Sequence, residues 1–68
     1  MVNNITDWGK NVKIRLTELG KTQNWLIEEV KKRTGLYFDG SYLHRMLTGK
    51  EKSPTIIRTI DEILESES

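Results

Sequence analysis

The sequence predicts an all-α fold, a compact bundle of four to five helices forming one domain over residues 1–68. Three observations predict it. Apolar residues recur at spacings of three and four in successive segments, which marks helical faces. Hydroxyl or carboxylate residues stand just before these segments and glycines just after them, where helices start and stop. Strands have nowhere to form, because the one extended candidate, Leu36-Tyr37-Phe38, has no partner run to pair with.

The first helix takes Thr6 or Asp7 as its N-cap and presents Trp8, Val12, Leu16 and Leu19 on one face before Gly20 stops it. Thr22 caps a second helix whose inward set is Trp25, Leu26, Ile27 and Val30. Lys31, Lys32 and Arg33 suit the negative end of its dipole, and Gly35 breaks it. Residues 35–40 read as a connecting loop pinned into the core by Leu36 and Phe38. Asp39 or Ser41 caps a short third helix carrying Leu43, Met46 and Leu47, ended by Gly49. After a polar loop, Ser53-Pro54 is an N-cap followed by proline in the first turn. The last helix then runs to about Leu64 with a wide stripe of Ile56, Ile57, Ile60, Ile63 and Leu64. That stripe exceeds one helix's share of so small a core. Ile57, Ile60 and Leu64 are therefore candidates for a homodimer seam.

Composition narrows the function. Leu, Ile, Val and Phe make up 18 of the 68 residues, and the net charge is only +1, so the chain is not of the disordered class. It has no cysteine, which removes disulfides, thiolate zinc sites and thiol catalysis. A lone histidine, His44, does not make a metal site or an acid–base centre without neighbouring ligands or a pocket. No cofactor, metal, small-molecule substrate or enzymatic activity is expected. No apolar run is long enough to span a membrane, and a soluble cytoplasmic domain is the expectation. The charge is unevenly spread. Residues 1–58 carry all 11 bases against six acids, while residues 59–68 carry four acids and no base. A basic body suits an anionic partner, with the acidic end turned away from it.

Helix, tight polar connection, helix, then a short helix is the layout of a helix-turn-helix DNA reader, whose second helix enters the major groove. The third helix offers the side chains this needs. Ser41, Tyr42, His44, Arg45 and Thr48 face outward and can all form hydrogen bonds. Arg45 suits the bidentate grip of a guanine edge. Lys50, Lys52 and Ser53 suit backbone oxygens, as do Thr22 and Gln23 at a helix N-terminus.

These residues carry a resemblance. Thr22-Gln23…Leu26-Ile27, Leu43-His44-Arg45-Met46…Gly49-Lys50 and Ser53-Pro54, with Gly9-Lys10 at the opening, resemble the Xre/Cro-type repressor family. Its pattern runs roughly TQ-x-x-L-A…I-S-R-I-x-x-G…K-x-P, and the likeness covers about residues 8–64. It implies a lambda-repressor-like domain that binds double-stranded operator DNA as a homodimer, in bacteria or their phages, at the nucleoid. By the same resemblance Gln23 clamps a phosphate, and Gly40, Ser41, Tyr42, His44 and Arg45 face the groove. Thr22, Thr48, Lys50, Lys52 and Ser53 complete the expected backbone contacts. The chain departs from the pattern in a span from Gln23 to Leu43 longer by more than a helical turn, and in Ile27 where the family prefers alanine.

The function expected from these features is a Cro-like transcriptional repressor. Two readings compete with it. One is an excisionase-like recombination accessory that bends DNA, distinguished by direct repeats in its target. The other is a helical protein-interaction module or antitoxin that docks a partner through the Ile56–Leu64 face.

Overall fold

A computed structural model describes residues 5–67 of the chain; the ends of the predicted domain, 1–4 and 68, lie outside the described residues. The described residues form four helices and no strand: α1 (Asp7–Leu19), α2 (Gln23–Thr34), α3 (Gly40–Leu47) and α4 (Pro54–Ser66). A fifth helix, allowed for by the sequence, is not among them.

Each helix starts on a side-chain cap. Thr6, Thr22, Asp39 and Ser53 have extended backbone, and each side-chain oxygen accepts the N–H three residues on, from Gly9, Trp25, Tyr42 and Ile56. Such a cap stabilises a helix by about 1 kcal/mol, which matters in a chain of this size. Gly20 and Gly35 end α1 and α2 in left-handed conformation, at φ 69° and 68°, where a side chain is strained. α3 closes on Thr48, one residue before the glycine expected to end it.

The core is a single cluster drawn from all four helices and the 35–39 loop. Val12, Leu16, Leu26, Val30, Phe38, Leu43, Met46, Leu47, Ile56, Ile60, Ile63 and Leu64 are all buried. α4 packs on α2 and on α1, while α3 is held between α1 and α2. Covered from two sides, α4 buries a wider arc than a helix lying on a single neighbour. This corrects the expected homodimer seam: Ile60 is 0% exposed and Leu64 5%, so neither has surface left for a second copy. Ile57 alone of the three stays half-buried.

Two further expectations change. The 35–39 loop is pinned by Phe38 alone, because Leu36 points outward and is 49% exposed. Trp8, Trp25 and Ile27 lie half-buried at the rim of the core rather than inside it. At the rim, Trp8 Nε1–H reaches water's edge and donates to the Asp61 carboxylate at 3.0 Å, tying α1 to α4.

A third helix this short needs an anchor, and Thr6 provides it. Its backbone N–H and its hydroxyl both donate to the Leu47 carbonyl, at 2.9 and 3.0 Å, while the same hydroxyl oxygen caps α1. Gly9 lets the two backbones meet. A methyl group there would lie 2.4 Å from the Leu47 carbonyl oxygen. The C-terminal end of α3 is thus fixed against the start of α1.

Candidate nucleic-acid interface

α3 is strongly two-sided. Leu43, Met46 and Leu47 fill the core, and Gly40, Ser41, His44 and Arg45 lie exposed on the opposite side. Four of the five residues expected to meet base edges therefore share the outer side of one short helix. The fifth, Tyr42, is half-buried. Its ring packs against Phe38 with centroids 5.1 Å apart, and the Arg45 guanidinium lies 5.5 Å from the ring centre on α3.

Arg45 is restrained from a second direction. Its Nε lies 3.7 Å from Glu51 Oε1, and both side chains are about half exposed. The backbone holds the pair together, because the Arg45 carbonyl accepts the N–H groups of Lys50 and Glu51 at 2.8 and 3.1 Å. That turn also places Lys50 at the C-terminal end of α3, exposed and without an ion pair among the described residues. Glu51 was not legible from spacing, since it faces Arg45 across a helix end rather than along a helix.

The N-terminal end of α3 carries its own small network. The Tyr37 hydroxyl donates to the Asp39 carboxylate, whose other oxygen caps Tyr42 N–H at 2.8 Å. The bond from Tyr37, and then the N–H of Tyr42, holds the Asp39 carboxyl below its ordinary range. Bonding to that carboxylate, and its negative charge, push the Tyr37 phenol above its ordinary value.

The hydroxyls expected at the backbone separate by their existing bonds. Thr22 and Ser53 use their oxygens as acceptors in N-caps, so each O–H remains able to donate to a phosphate. Thr48 differs: its single proton already goes to the carbonyls of His44 and Arg45, at 3.1 and 3.2 Å. A phosphate oxygen would compete with those two carbonyls for the proton. Lys52 is exposed beside a shallow, mainly apolar depression lined by Trp8, Met46 and Ile57. Gln23 is exposed at the start of α2, where it lines a groove of about 220 Å³ with Lys13, Thr17 and Lys21. Neither lysine was singled out from the sequence, because α1 and the α1–α2 turn bring them together only in the fold.

The other basic run is paired with acids of its own helix, three cations against two carboxylates. Lys31 pairs with Glu28, and Lys32 and Arg33 pair with Glu29, at 3.3–3.8 Å along α2. Of the acids of α4, Asp61 faces α1 and takes the Trp8 bond, and Arg15 of α1 donates to the Leu64 carbonyl at 3.2 Å. No three His, Asp or Glu side chains group to hold a metal among the described residues, and no described helix is long and apolar enough to cross a membrane. Comparison with protein-family models, with curated proteins and with solved structures finds no match to this chain.

Proposed function

We propose that this domain is a sequence-specific DNA-binding regulator in which α2 and α3 act as a helix-turn-helix and α3 enters the major groove. The observation that carries the reading is the two-sidedness of α3. Its apolar face is buried, and Ser41, His44 and Arg45 stand outward together on a helix clamped at both ends. Donors for phosphates flank it in the reading: Lys50 after α3, and Gln23 with Lys13 and Lys21 at the start of α2. Two copies on an inverted repeat would set their α3 helices in successive major grooves about 34 Å apart. The domain would act by occupying DNA, without chemistry of its own.

The competing protein-docking reading keeps only Ile57 of its α4 face, because Ile56, Ile60, Ile63 and Leu64 are in the core. Substitution of Arg45 tests the DNA reading at one residue. Arg45→Ala is expected to cost about 1–3 kcal/mol on the preferred duplex and to relax preference at one base pair. Unchanged affinity and unchanged preference would remove α3 from the groove.

A further inference from the structure

We propose that Glu51 and Tyr42 are positioning residues that fix Arg45 for reading a guanine, so that base preference belongs to a three-residue unit. The inference rests on the DNA-binding reading above. An arginine side chain has several rotatable bonds, and ordering it on binding reduces the preference it can express. Here two contacts restrict it beforehand. The Tyr42 ring lies 5.5 Å from the guanidinium carbon and limits where its face can turn. The Glu51 carboxylate approaches at Nε, 3.7 Å away.

The choice of Nε matters chemically. A guanine presents O6 and N7 to a pair of parallel N–H donors. A carboxylate bound across both terminal nitrogens would consume that pair. A carboxylate paired nearest to Nε, at ion-pair distance, does not require the Nη1–Nη2 edge and biases where that edge points. Tyr42 is itself held by Phe38 in the core, at a centroid distance of 5.1 Å, so the chain of contacts ends on a rigid residue. Glu51 is held by its own N–H bond to the Arg45 carbonyl. Glu51 also places a negative charge near the phosphates of any bound duplex. It therefore weakens binding to all sequences while sharpening the choice among them.

The test has two readouts on the full chain. The first needs no DNA: the NMR signal of the Arg45 Nε–H, with its solvent exchange, in the wild type and in Glu51→Ala. The second is the affinity ratio between the preferred duplex and one with the critical guanine replaced. Glu51→Ala is expected to speed exchange at Nε–H and to lower the ratio about three- to ten-fold, with unrelated duplexes bound as well as before or better. Glu51→Gln, which keeps an acceptor, is expected to recover part of the ratio. Tyr42→Phe keeps the ring and the ratio, and Tyr42→Leu loses both. In an Arg45→Ala background, Glu51→Ala is expected to leave the ratio unchanged.

A uniform change in affinity for every duplex, with the ratio intact, overturns the proposal and makes Glu51 a charge only. Fast, Glu51-independent exchange at Nε–H overturns it as well. Wild-type protein with a protected Nε–H but no preference among duplexes identifies a different failure. The contact would then exist, and the DNA reading would fall, taking this role for Glu51 with it.

Discussion

Gly9→Ala introduces one methyl group into the narrowest contact of the fold. The added carbon would lie 2.4 Å from the Leu47 carbonyl oxygen, 2.9 Å from its Cα and 3.0 Å from its carbonyl carbon. All three are backbone atoms, so no side chain can swing away. Ordinary contact begins at 3.4 Å, and α1 and α3 must part by about 1 Å. That movement stretches both Thr6 bonds to Leu47, now 2.9 and 3.0 Å, beyond hydrogen-bonding range. Each is worth about 0.5–1.5 kcal/mol, and overpacking of this kind costs about 1–3 kcal/mol. Against this, alanine gains about 1 kcal/mol over glycine within a helix. The net loss is about 1–5 kcal/mol, centred near 3, from a total stability of roughly 3–10 kcal/mol for a domain this size. Thermal unfolding followed by circular dichroism is expected to show Tm lowered by about 10–20 °C. Gly40→Ala is the control. Its methyl group would meet only Ile27 Cδ1, at 4.0 Å, and Tm is expected to hold or rise slightly. A Gly9→Ala protein as stable as the Gly40→Ala protein would refute the close approach of α1 and α3.

Three further outcomes are expected from this and other contacts of the fold. Thr6→Ala removes the α1 cap and one of the two bonds to Leu47 and is expected to cost about 1–2 kcal/mol in urea unfolding, with Thr6→Ser recovering most of it. The Tyr37–Asp39 bond gives a pH dependence of known sign. The Asp39 carboxyl is depressed, so its contribution is present above its unfolded pKa, near 4, and is lost as pH falls through the folded value. The Tyr37 phenol is raised, so its contribution is present below its unfolded pKa, near 10, and is lost as pH rises through the folded value. Tyr37→Phe is therefore expected to flatten both arms of the plot of Tm against pH. Finally, Lys50→Ala is expected to weaken all duplexes alike and to reduce the salt slope by about 1, whereas Lys31→Ala, already paired with Glu28, leaves binding unchanged.

The features legible in the sequence were local ones. Thr6, Thr22, Asp39 and Ser53 each bond an N–H three residues ahead, so the cap and its partner lie within one short stretch. The buried face of α3 was legible for the same reason, since Leu43, Met46 and Leu47 follow the helical period. What depended on distant partners was not legible. The α4 stripe looked too wide for one core because the sequence does not say that both α2 and α1 cover it. Gly9 is legible only as part of the Gly9-Lys10 opening of the resemblance, and its physical reason lies on α3. Leu36 and Phe38 are both large and apolar, and only the path of the loop sends one outward and the other in. Within the candidate interface, the exposed row Ser41, His44 and Arg45 follows from periodicity. The hydroxyl bonds of Thr48, the groove joining Gln23 to Lys13 and Lys21, and the Glu51 contact depend on geometry at helix ends.

If α3 reads duplex sequence, selection from a random duplex pool at low and physiological salt recovers its target. An inverted repeat whose half-sites lie about one helical turn apart is expected to be enriched, retained at the higher salt and lost in Arg45→Ala. A pool that emerges from both salt conditions without any enriched sequence would contradict that role for α3.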